Sequence, residues 1–133
     1  DNLKMSGYPA KVKSFDWVGN TPYLVTSGAN QAICWPFDGK DGPKGRKPIC
    51  VADGGKQYST FIKSLPDEEA IFTGFRDGTV LLSEIDENKN ANIIRNPTGA
   101  EVTTIALTSD RSHILIGDSK GSILWSTLWA GRE

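Results

Sequence analysis

The residues of this chain that could do chemistry are few and scattered. His113 is the single histidine, and no cysteine or activated serine motif stands near it. A metal set or an acyl-transfer triad therefore has little to build on. Asp38-Gly39-Lys40-Asp41-Gly42 faintly resembles a calcium loop, but the alternating oxygen ligands and closing glutamate are missing, and ordinary turn chemistry accounts for it. Gly54-Gly55-Lys56 lacks the Gly-x-x-x-x-Gly-Lys frame that cradles phosphate. Cys34 and Cys50 are the only two cysteines, too few for a disulfide framework or a cysteine-built metal site. Both sit in apolar runs, so free thiols are expected, with a cross-strand disulfide as the alternative. Trp17, Trp35 and Trp125 fall within β-like runs and read as packing groups rather than a carbohydrate platform; Trp129 stands apart from them. Phe75-Arg76 is the sharpest pair. An aromatic beside an arginine on one turn has the composition of an interface anchor. The plainer reading buries Phe75 against a neighbour and leaves Arg76 as a solvated charge.

Something must position these residues, and the bulk composition bounds what it is. The chain has 133 residues, 38% apolar and 23% charged, ordinary for one globular domain able to bury roughly 68% of its unfolded surface. Fifteen basic and 16 acidic residues leave a formal charge of −1, against the basic patch that nucleic acid or an anionic membrane would require. No run of about 18 apolar residues is present. Residues 1–6 lack the basic and apolar regions of a signal peptide, and the chain opens without an initiator methionine, as a processed or excised chain would. Together with the thiols, this gives the expectation of a cytoplasmic protein without cofactors.

The positioning elements are short β-runs. Residues 73–83 read Thr-Gly-Phe-Arg-Asp-Gly-Thr-Val-Leu-Leu-Ser, a short run, a glycine-bearing polar turn and an apolar run rich in β-formers. The same outline recurs at 27–36 and 117–126, with Ser27, Gly74 and Gly117 standing 47 and 43 residues apart. A period in that range marks a repeat architecture. Strands are expected at 3–5, 12–17, 23–26, 32–35, 49–52, 58–62, 70–73, 79–82, 91–94, 102–107, 113–116 and 123–125, with Pro36 limiting the fourth. Residues 38–48, holding three glycines and two prolines, form a long loop. No window keeps helical periodicity for ten residues. Strands this short and this apolar on both faces fit sheets stacked between neighbouring sheets. The class is all-β, in four-stranded units.

At these residues the chain resembles the WD-repeat β-propeller family, whose blades are four-stranded sheets of about 40–45 residues. Leu65-Pro66-Asp67 followed by Ala70 to Gly74 is similar to that family's turn and second strand. Asp77-Gly78-Thr79-Val80 is similar to its turn into the third strand, and Gly7-Tyr8 followed by Val12 to its Gly-His element, with tyrosine for histidine. No Trp-Asp pair ends a third strand; those positions read Pro36, Ser83 and Ser126, with Trp35 and Trp125 one residue earlier. Of the family's buried Asp–His–Ser/Thr–Trp network only Asp77 aligns. Apolar packing between blades is therefore expected to carry stability, with strands and turns as the shared polar framework.

The resemblance implies one partial propeller domain over 1–133, with repeats at approximately 7–53, 54–97 and 98–128 and residues 1–5 as an outer strand able to complete the last blade. Three blades do not close a ring, since propellers typically have four to eight. The open ends would expose apolar faces, which mark an interface. Completion is expected from a second copy, most simply a homodimer, or from the remaining blades of a longer parent chain. In the resembling family ligands meet one loop face, which in this chain implies partner contacts at Tyr8, Lys11, Lys56, Gln57, Phe75, Arg76, Glu101, Asp118 and Lys120. The expected function is a non-catalytic protein-interaction scaffold, with no nucleic-acid or membrane partner. One alternative is a propeller-scaffold hydrolase or lyase at the central channel, although Ser14, Asp16, Thr60 and Thr104 on the inner strands supply no acid pair. The other is an architectural or engineered fragment that only assembles.

Overall fold

Glycine- and proline-bearing turns cut the apolar runs into strands too short to pair with more than their immediate neighbours. The computed structural model describes residues 3–86 and 91–128. Within them lie β1 (Phe15–Trp17), β2 (Tyr23–Thr26), β3 (Ala32–Pro36), β4 (Ile49–Val51), β5 (Ser59–Ser64), β6 (Ala70–Phe75), β7 (Val80–Glu84), β8 (Ala91–Arg95), β9 (Val102–Leu107), β10 (His113–Asp118) and β11 (Ile123–Thr127). They form three antiparallel sheets, β1-β2-β3-β4, β5-β6-β7-β8 and β9-β10-β11. Among the described residues the third sheet thus has three strands where the first two have four.

Two expected strands differ. The run at 12–17 is a strand only from Phe15, because the backbone amides of Lys13 and Ser14 turn to the hydroxyl of Ser27 instead of a ladder partner. Leu3, Lys4 and Met5 form no strand and are exposed, pairing with no strand among the described residues.

Pairing registers align the sheets row by row. Leu24 stands between Trp17 and Trp35, Ile71 between Ser64 and Ser83, and Ile114 between Leu107 and Ser126. The next row toward the other end holds Phe15-Thr26-Ile33, Ile62-Thr73-Leu81 and Ile105-Ile116-Leu124. These rows face the preceding sheet. The alternate residues face the following one, as the two-residue period of a strand requires.

The core is therefore two slabs. In the first, Val25, Ala32, Cys34 and Val51 of sheet 1 meet Ile62, Ile71, Phe75 and Leu81 of sheet 2. In the second, Phe72 and Val80 of sheet 2 meet Val102, Ile105, Ile114 and Ile116 of sheet 3. Strand β6 is buried along its whole length, since it contributes to both slabs. The inner strands are tied by side chains. Ser14 Oγ accepts from the amide of Ile62 at 3.0 Å, Asp16 accepts from the amide of Ser64 at 3.0 Å, and Thr60 donates to the carbonyl of Val102 at 2.6 Å.

Two glycines are demanded by this packing. A Cβ on Gly54 would lie 2.2 Å from the Phe75 ring, so that loop can cross Phe75 only without a side chain. Gly78 has φ +97 and a Cβ there would meet Thr98 Oγ1 at 2.2 Å, a left-handed turn in close contact with the next connection.

Candidate protein-interaction surfaces

The loops 7–13, 27–31, 52–58, 76–79, 96–101 and 119–122 gather at one pole. Backbone bonds hold them there: Gly28 N to Ser59 O at 3.1 Å, Arg76 N to Tyr58 O at 2.9 Å, Thr98 N to Asp77 O at 2.9 Å and Ser119 N to Glu101 O at 2.9 Å. All nine residues singled out from the sequence belong to these loops or to the strand ends beside them, but they are not equivalent.

Phe75 is a correction. It is fully buried, its ring lying against Gly54, because its strand sits between two sheets. The exposed group at this turn is Arg76 alone, its guanidinium stacking 5.0 Å from the ring centroid of half-buried Tyr58, a cation–π contact. Lys56 is exposed and Gln57 half-buried beside it. Gln57 also lines a shallow cleft of about 270 Å³ with Asp53, Asp77 and Thr79. Glu101 is engaged by Lys13 at 2.6 Å, joining the lead-ins of β1 and β9. The Asp118 carboxylate accepts from the amides of Lys120 and Ser122 at 2.9 and 3.1 Å and so shapes its own turn. Lys11 and Lys120 remain exposed.

Tyr8 is half-buried and does what the sequence assigned to no residue. Its hydroxyl hydrogen-bonds Thr26 Oγ1 and accepts from the indole Nε1 of Trp35 at 2.7 Å. This polar network corrects the expectation that strands and turns are the only polar framework. The signal was present but offset. Six residues separate the paired Thr26 and Ile33 where seven separate Thr73 and Leu81, so Trp35, not Pro36, is in register with Ser83. In sheet 2 the corresponding hydroxyls of Thr73 and Ser83 are buried without a partner.

The remaining candidates resolve simply. Cys34 pairs with Ile49 and Cys50 with Ile33, so the two side chains point to opposite faces and both thiols are free. Burial, with Cys50 adding to it, pushes the Cys34 thiol up to about 12. His113 Nδ1 lies 2.7 Å from Ser112 Oγ and its ring is tilted against Trp125. Asp38 and Arg46 pair across the 38–48 loop at 2.7 Å, which closes that loop on itself. Trp129 lies outside the described residues.

The opposite pole carries an acidic recess of about 370 Å³ lined by Asp67, Glu68, Glu69, Glu84 and Asp86. Asp67 is paired there with Arg111 at 2.9 Å.

The two end faces are the most unusual surfaces. On sheet 1, Phe15 is 64% and Trp17 52% exposed, although the residues in register with Phe15 on sheets 2 and 3, Ile62 and Ile105, are buried. On sheet 3, Ile123 is 73% and Trp125 65% exposed. Their counterparts Val80 on sheet 2 and Ala32 and Cys34 on sheet 1 are buried. Both ends present the chemistry of a covered slab with no cover.

No family model and no curated protein matches the chain. Among solved structures it superposes on a chain of the "Crystal Structure of Mitotic Checkpoint Complex" with a TM-score of 0.66 at 15% identity. That match covers 92% of this chain and 36% of the other, so this chain spans about a third of its neighbour's length. The chain is built of propeller blades. A second match, to the "computationally designed Ika4 protein", has a TM-score of 0.47 at 12% identity and covers 94% and 96% of the two chains. From here the three sheets are blades 1, 2 and 3.

Proposed function

We propose that this protein is a non-catalytic protein-interaction scaffold, a partial WD-like propeller whose ring is completed by more protein. A second copy and the remaining blades of a longer chain are the two sources. The observation that carries the reading is the pair of open end faces. Positions that are buried in the other blades are here aromatic and aliphatic side chains in water, and a soluble chain seldom leaves such patches uncovered. Propellers of three blades leave the ring open, and four to eight close it.

The loop pole is the surface such a scaffold presents to a protein partner. Arg76 on Tyr58, with Lys11, Lys56 and Lys120 exposed on loops of the same pole, combines charge with an aromatic plane, the composition of interface anchors. The free thiols are in keeping with a reducing, cytoplasmic setting. An enzyme at the central channel is disfavoured by what the inner strands offer. Ser14, Asp16 and Thr60 all spend their side chains on the backbone of the next blade, and Thr104 has no acid beside it in its strand.

Light scattering coupled to size exclusion tests the reading. The purified chain is expected to elute above its 14.5 kDa monomer mass. A well-folded monomer that stays soluble at high concentration would overturn it.

A further inference from the structure

We infer that the completing protein is a second copy joined head to tail, blade 3 of one chain against blade 1 of the next, with residues 3–5 of the second copy pairing onto β11. The inference rests on the scaffold reading above and names its partner.

Three independent features of the joints already inside the chain repeat at the open ends. The first is apolar. In both internal joints one blade offers its following face and the next its preceding face. The free face of blade 3 is a following face, with Leu115, Ile123 and Trp125. The free face of blade 1 is a preceding face, with Phe15, Trp17, Leu24 and Trp35. One chain thus holds both halves of a third joint, continuous with the two it has made. Two like faces would put following against following, a contact the fold nowhere makes.

The second feature is polar and belongs to the joint between blades 2 and 3. Thr60 crosses from β5 to donate to the carbonyl of Val102. Thr103 stands in register with Thr60, each two residues before the equivalent Ile105 and Ile62, and it is exposed. Val102 lies three residues before Ile105, and the same step back from Phe15 reaches Val12. In the joint, Thr103 donates to the carbonyl of Val12 in the second copy.

The third feature is the outer edge of β11, which has no strand paired to it among the described residues. Blade 1 is finished by Val51 opposite Ala32, and blade 2 by Arg95 opposite Val80. Val51 lies 11 residues before Ile62, and Arg95 lies 10 before Ile105. Counting the same distances back from Phe15 gives Lys4 and Met5, in a segment that pairs with no strand among the described residues. Leu3 is 77% and Met5 41% exposed there. Ile123, in register with Ala32 and Val80, heads the unpaired edge that would receive it. Two copies joined at both ends make six blades, within the range of closed rings.

A complementation experiment tests this. Phe15→Glu disables only the blade 1 face and Trp125→Glu only the blade 3 face; both residues are exposed, so each chain still folds. Wild type is expected at twice the monomer mass, each variant alone at the monomer mass, and an equimolar mixture again at twice it, because one intact joint can form. A second measurement is independent of those variants. Mixing Met5→Cys protein with Ile123→Cys protein under mild oxidation gives a covalent dimer that neither protein gives alone. Association that survives in either charged variant, or a mixture that stays monomeric, overturns the head-to-tail joint and leaves the scaffold reading standing. A well-folded wild-type monomer overturns both.

Discussion

Without the hydroxyl of Tyr8, the indole of Trp35 loses its acceptor and Thr26 one of its partners. Tyr8→Phe keeps the ring and deletes only that oxygen, so the expected loss of stability is about 1–2 kcal/mol, measurable by urea denaturation. Asp110 offers a different residue-scale test. Hydrogen bonds from Ser112 and Thr108 hold its carboxyl down at about 2 against 3.8 for the free side chain. A lowered acid favours the folded state above the unfolded pKa, and that contribution is lost as pH falls through the folded one. The window is therefore about pH 4 to 2. A carbon-13 titration of Asp110 should show the low midpoint, and Ser112→Ala should raise it. Among residues, Phe75 is one whose two readings the sequence left open, and the structure takes the plainer, buried one. Composition marks an aromatic beside an arginine as a contact group, but only the strand's place between two others decides whether the ring meets water.

Strand β6 is the element on which most depends, because its two faces serve two slabs. Phe72→Ala opens a cavity in the slab between blades 2 and 3 and should cost about 3–5 kcal/mol, read as a fall in the denaturation midpoint. Most strands were legible from short apolar runs punctuated by turn residues, and the Leu65-Pro66-Asp67 turn was legible from proline alone. Asp67 does adopt positive φ there, at 63, and the Glu68 amide closes the turn on Leu65 at 3.1 Å. The start of β1 was not legible. Val12 has the right β-forming character, but the local amides are taken by Ser27, a competitor 13 and 14 residues away. Register was the other loss. A turn shorter by one residue shifts every later position, and spacing by glycine hides that shift where Trp35 sits.

At the scale of the whole molecule, the repeat period gave blades and their order because each blade is local in sequence and bonded mainly to itself. The end faces were foreseen as apolar on the ground that three blades leave a gap. Their residues could be named only after registers assigned each position a buried counterpart. The proposed joint between copies belongs to this scale, since no single strand would carry it and its test reads mass.

The bond from Lys13 to Glu101 ties the approaches of the first and third blades, skipping the second. Geometrically it is a chord, and a chord of fixed length sets the curvature of the arc it subtends. The slabs between blades are apolar and hold no charges for ions to screen, whereas an exposed ion pair contributes only ~0–1 kcal/mol and weakens as ions screen it over ~8 Å. Ionic strength therefore acts on this fold at the chord and not in the slabs.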